Sequence, residues 1–139
     1  MKGNIRCTKI VGGVGTGKIL YTSTPINFLS AIDKNTGVIT DSSHDLSGVS
    51  ISNTILIFPY SVGSTVGAYS IFSLQRNSVA PSGMICNIKV DITTASGCAI
   101  AGIPLVRIIN QNKILESLRN SFGTINADIG LLILRKFKC

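Results

Sequence analysis

Residues 55–67, I-L-I-F-P-Y-S-V-G-S-T-V-G, and the amphipathic stretch 68–76 that follows them set the architecture. Ile55 to Phe58 read as a buried strand, and Pro59 ends it because proline has no N–H to give to a sheet. The chain then passes through Gly63 and Gly67, and apolar residues at helical spacing predict a helix over 66–76. A strand, loop and helix in this order bring Gly63, Ser64 and Thr65 to a helix N-terminus. There, unpaired backbone N–H groups and the positive end of the helix dipole favour an anion. Ser64 has two readings on this basis: a helix cap, which is the usual work of serine at such a place, or a reactive hydroxyl held where negative charge is stabilised. Thr65 has the cap as its plain role.

Composition limits what such a chain can be. Its 139 residues suit a single domain, 1–139, able to bury about two thirds of its unfolded surface. Only 14% of residues are charged against 45% apolar, with a mean hydropathy of +0.42. That surface is greasy for a monomer, so the excess points to a protein partner. No apolar run approaches the roughly 18 residues that cross a bilayer, so no membrane span is expected. Thirteen Lys and Arg against six Asp and Glu give +7, which suits an anionic small molecule, an acidic partner or nucleic acid. The densest basic group is Arg135, Lys136 and Lys138, and no basic run is interleaved with stacking aromatics, so nucleic acid is not expected.

Cys7, Cys86, Cys98 and Cys139 are far apart and His44 is the one histidine, a pattern that builds no metal or cluster site within this chain. The opening M-K-G-N-I-R-C has no apolar core of a secretory signal, and a cytoplasmic protein with reduced thiols is expected.

Before the central strand, residues 4–11 alternate as one half-buried strand with Ile5, Cys7 and Val11 inward. Gly12 to Lys18 then nearly spells a phosphate-binding loop. That motif needs Ser or Thr after the lysine and a helix to follow, whereas Ile19 occupies the position and residues 19–23 are β-branched and aromatic. A glycine-rich turn between two strands is the expectation instead. Pro25 to Leu29 reads as extended edge or loop, Asp33 to Gly37 as a turn, Val38 to Thr40 as a short strand, and Leu46 to Ser52 as weakly alternating.

After the first helix, Ala80 to Gly83 break the chain and Met84 to Ile88 form an interior strand. Asp91 caps a second helix, Ile92 to Ala101, which Gly102 and Pro104 end. Leu105 to Ile109 is another apolar run, and 123–130 with Leu131 to Lys136 reads as a closing hairpin. The sum is an α+β domain with a barrel-like or sandwich-like core and about two helices.

Four pieces stand in order: T-P-I-N-F-L-S-A-I-D-x-x-T-G at 24–37, H-D-L-S-G-x-S-I at 44–51, P-x-x-x-G-S-T-x-G at 59–67 and A-P at 80–81. Together they resemble the small subunits of archaeal phosphomevalonate dehydratases, the swivelling domains of the aconitase X superfamily, from about Val11 to Val106. The resemblance implies a swivelling β/β/α fold and an obligatory large subunit that holds a [4Fe-4S] iron-sulfur cluster, none being bound by this chain. It also implies an anionic, phosphorylated hydroxy-acid substrate, 5-phosphomevalonate, which loses water to become trans-anhydromevalonate 5-phosphate. In the family the serine of the G-S element is the proton acceptor, here Ser64, while Gly63 and Thr65 would line the substrate through their N–H groups. The arginine that often precedes that glycine is replaced by Val62, which leaves any substrate contact made by it without a counterpart, and Ser30 stands where glycine is usual.

A serine hydroxyl is a weak base unless its alkoxide is stabilised, by amides, by a cation, or by both. Lys18 or a large-subunit residue could be that cation, with a solvated lysine as the plain alternative, and His44 reads as a loop residue before a catalyst. Two functions compete: a related dehydratase acting on cis-3-hydroxyproline, and a non-catalytic docking module in which Ser64 only caps a helix.

Overall fold

A computed structural model describes residues 3–135. Lys136, Lys138 and Cys139, and with them the end of the expected hairpin, lie outside the described residues. The chain runs β1 (Gly3–Arg6), β2 (Thr8–Val11), β3 (Val14–Tyr21), β4 (Thr54–Phe58), α1 (Gly67–Arg76), β5 (Gly83–Cys86), α2 (Ile92–Ala101), β6 (Leu105–Arg107), α3 (Asn112–Ser117), β7 (Phe122–Asn126) and β8 (Leu131–Leu134). Eight strands form one sheet in the order β1-β8-β7-β3-β4-β5-β6-β2. Strands β3 to β6 are parallel to one another, and the other neighbouring pairs are antiparallel.

The two ends of that order, β1 and β2, are consecutive in the chain and separated only by Cys7. The sheet therefore curls until its edges meet, as in a barrel. One strand was expected over 4–11; the chain instead changes partner at Cys7, from Leu131–Leu134 to Leu105–Arg107, because one straight strand cannot serve both edges.

Strand β4 is buried at all five positions, as a central parallel strand must be when both faces are covered. Leu56 and Phe58 face one core with Leu20, Met84, Leu105, Ile71, Leu74 and Cys98, beneath α1 and α2. Phe28, from the long excursion between β3 and β4, meets Phe58 edge to face with centroids 5.6 Å apart. Ile55 and Ile57 face the second core, with Ile19, Ile85, Val106, Ile125, Leu132 and, from α3, Leu115. Within the excursion, Val38 and Ile39 make only isolated bridges, to Ser50 and Ile32.

Gly12 and Gly13 make the expected connection between two strands, Gly13 with φ +123°, but Val14 to Lys18, expected to share the turn, are the first part of β3. Thr16 pairs with Thr124 across to β7, their hydroxyls 2.8 Å apart. Gly15 is required because the backbone of Ser82 passes against it: a Cβ there would stand 2.0 Å from the Ser82 carbonyl oxygen. Three helices, rather than two, are present among the described residues; the additional one is α3, a six-residue helix that plugs the barrel with Leu115.

Candidate active site

All four parallel strands end on the same side, where ligands of parallel sheets gather. The chain leaves β4 there and forms the loop 59–66, held on two flanks. On one flank Val62 N–H donates to the Ile26 carbonyl at 3.0 Å, and Ile26 N–H donates to that of Tyr60 at 3.3 Å. On the other, the Asp91 carboxylate accepts from Ser61 N–H at 2.8 Å and from the Ser61 hydroxyl. Gly63 has φ +97°, and a Cβ on it would fall 2.4 Å from the Asn27 amide nitrogen, so conformation and space both demand glycine.

Ser64 is exposed, and its hydroxyl accepts from Val66 N–H at 3.1 Å. Helix α1 is entered through a tight turn, with Gly67 N–H on the Ser64 carbonyl and Ala68 N–H on that of Thr65. Val66 occupies the N-cap position and supplies no side-chain bond, so neither Ser64 nor Thr65 caps the helix, and the Ser64 hydroxyl closes a local turn just before it. The amides expected to be free in the first turn are thus already paired. Those left unclaimed by any described residue are earlier, the N–H groups of Gly63, Ser64 and Thr65. These three consecutive donors surround the exposed hydroxyl of Ser64, with that of Thr65 beside it.

Asp91 also caps α2, accepting from Thr94 N–H at 3.0 Å, and Gly102 closes that helix in the left-handed conformation, both as the sequence predicts. Burial pushes the Asp91 pKa up, but bonds from Ser61 and Thr94 outweigh it and hold it below its ordinary 3.8. A depressed carboxylate stabilises the fold above its unfolded pKa of about 3.9, and the contribution is lost as pH falls through the folded value. Urea unfolding of wild type and Asp91→Asn should show a stability gap that is constant above about pH 5 and narrows below about pH 4. A gap independent of pH would refute the assignment.

The other candidates separate. Lys18 is exposed and registered opposite Thr54, the first residue of β4, so it lies at the far end of the sheet from Ser64. His44 is buried: its Nδ1 accepts from Leu46 N–H at 3.0 Å and its Nε2 faces the Thr24 carbonyl at 3.3 Å, which makes it a loop anchor. A cation on the site's side that the sequence reading does not single out is Lys89. Its N–H bonds the Pro59 carbonyl and its ammonium sits 4.8 Å from the centre of the Tyr60 ring. Only its position just beyond a parallel strand, next to the Ser64 loop, could have marked it.

Around Ser64 the surface is apolar, with Val62 and Val66 exposed, Tyr69 68% exposed and Ile92 75%. An open cleft of about 350 Å³ between α1 and α2 is lined by Thr65, Tyr69, Ile92 and Ile100 among others, and α2 carries no charged residue. No group of three or more His, Cys, Asp or Glu able to hold a metal occurs among the described residues. The described cysteines do not fit an iron-sulfur cluster, because Cys7, Cys86 and Cys98 belong to no such group and two of them, Cys86 and Cys98, are buried in the apolar core. No helix is long and apolar enough to cross a membrane among the described residues.

Comparison with known proteins agrees with this geometry. Residues 4–131 match the family described as Aconitase X swivel domain. The phosphomevalonate dehydratase small subunit of Thermococcus gammatolerans is 40% identical over 91% of this chain and 93% of its own. That of Methanocella arvoryzae is 38% identical over 94% and 98%. Among solved structures, the holo-form of Thermococcus kodakaraensis aconitase X superposes with a TM-score of 0.88 at 33% identity, covering 96% of this chain and 99% of that one. With an eight-stranded sheet, paired helices over one face and this extent of similarity, the chain belongs to the aconitase X swivel family.

Proposed function

We propose that this chain is the small subunit of a phosphomevalonate dehydratase, a hydro-lyase that converts (R)-5-phosphomevalonate to trans-anhydromevalonate 5-phosphate on the way to isoprenoids. It acts as a single swivelling domain, in the cytoplasm, and only in complex with a large subunit. The observation that carries this reading is the exposed Ser64 hydroxyl beside three N–H groups that no described residue claims.

In this reading Ser64 takes the proton from the carbon next to the substrate carboxylate, a double bond forms to the neighbouring carbon, and the hydroxyl on that carbon leaves. The amides of Gly63, Ser64 and Thr65 supply the stabilisation that a serine alkoxide needs, or hold a carboxylate or phosphate oxygen of the substrate. Lys89 adds positive charge on the same side. The iron-sulfur cluster belongs to the large subunit, since the cysteines here do not suit it. The uncharged surface around Ser64 supports a partner that closes over the site.

The test is anaerobic co-expression with the cognate large subunit, then assay of 5-phosphomevalonate, unphosphorylated mevalonate and cis-3-hydroxyproline. Turnover of the first, and loss of turnover without its phosphate, is the expected result. Turnover of hydroxyproline alone would transfer the chain to the related dehydratases, and an assembled complex inert on all three would leave a docking module.

A further inference from the structure

An N-cap needs one acceptor, and Ser, Thr or Asn provides it as well as Asp. Asp91 does more. Its Oδ1 accepts from Ser61 N–H at 2.8 Å and from the Thr94 hydroxyl at 2.9 Å, and its Oδ2 accepts from the Ser61 hydroxyl and from Thr94 N–H at 3.0 Å. A carboxylate has about four lone-pair sites, and Ser61 and Thr94, from different chain segments, each fill them with an N–H and a hydroxyl, the Thr94 hydroxyl lying within 3.1 Å of both oxygens. An ionised carboxylate accepts all of these bonds with two charged oxygens, whereas the amide of an asparagine offers one neutral oxygen and turns its NH2 toward the remaining donors. Ser61 is buried, bridges to Ile26, and precedes Ser64 by three residues. Between Ser61 and Val66 no other side chain of the loop bonds outside the loop, because the Ser64 hydroxyl is used locally on Val66 N–H.

We propose that Asp91 is a positioning residue, which locks the Ser64 loop to the N-terminus of α2 through Ser61 so that loop and helix are placed as one unit. Charge-assisted bonds of this kind are about twice as strong as neutral ones. They suit a loop whose hydroxyl must meet a substrate carbon held largely by another protein, where a displacement of about 1 Å costs on the order of a hundredfold in rate. Deleting the Ser61 hydroxyl would remove one of the two bonds that tie the loop to Asp91, keeping the Ser61 N–H bond and leaving the α2 cap whole.

The experiment uses the assembled complex and the variants Ser61→Ala, Asp91→Asn and their combination. Each is read by steady-state kinetics on 5-phosphomevalonate and by amide hydrogen exchange of segment 61–66. Expected is a fall in kcat of at least about tenfold with KM within about threefold, a double variant no worse than the poorer single one, and exchange at Val62 and Val66 faster by at least about tenfold. The kinetic readout rests on the function proposed above, and the exchange readout does not. A wild-type complex that does not turn over 5-phosphomevalonate defeats that function, and exchange then decides the clamp by itself. Unchanged exchange in both single variants, or faster exchange with kcat and KM both unaltered in an active complex, overturns the proposal.

Discussion

Ser64→Ala should lower kcat of the assembled complex on 5-phosphomevalonate by about a thousandfold, within the range of roughly 10²–10⁴ for loss of a positioned general base. That is about 4 kcal/mol of transition-state stabilisation. KM should stay within a few-fold, because the three unclaimed amides belong to the backbone and survive the substitution. Stability should hardly move. The side chain is exposed and its one hydrogen bond, to Val66 N–H at 3.1 Å, caps a turn, an interaction worth about 1 kcal/mol at most. Calorimetry of the free chain and gel filtration of the complex establish that folding and assembly are intact. An intact Ser64→Ala complex with more than a tenth of wild-type turnover would reduce this serine to a cap.

Gly15→Ala is expected to be the most damaging small substitution for folding, at about 3 kcal/mol or a drop of about 10 °C in Tm. The added methyl would meet the Ser82 carbonyl oxygen at 2.0 Å and its carbon at 2.7 Å, and both are backbone atoms that no rotamer change can move. Ser82 cannot retreat, because its N–H is bonded to the Thr54 carbonyl at 2.8 Å, on the strand next to β3. Gly17 repeats the arrangement against the Asn53 carbonyl oxygen at 2.3 Å. Gly3→Ala is the control: nothing lies within 4 Å of its Cβ position, and its Tm should be unchanged within about 2 °C. Equal stability of the Gly15 and Gly3 variants would mean that β3 does not run under the Ser82 backbone.

The near-miss with a phosphate-binding loop is resolved by the same contact. Gly15 and Gly17 are glycines because two connecting segments cross the strand at close range, and glycine is the residue that lets backbone approach backbone. Read along the chain, the same glycines mean a turn. Nothing local tells the two apart, since the crossing residues lie 36 to 67 positions away.

Elements governed by near neighbours were legible from the residues alone. Helix α2 runs from Ile92 to Ala101 between its Asp91 cap and a left-handed Gly102, as predicted, because capping and helix termination act within about four residues. Strand β4 and the entry to α1 follow in the same way from an apolar run, a proline and helical spacing, and they carry Ser64 to the surface. Motif order was enough for the family. The tertiary structure alone decided the exchange of partners at Cys7, the strand made from a glycine run, the short α3, the exile of Lys18 to the opposite end of the sheet, and the bond from Ser61 to Asp91. Each of these depends on which strand lies beside which and in what register. Register is fixed by the packing of two cores on either side of one sheet, and no stretch of neighbouring residues contains that information.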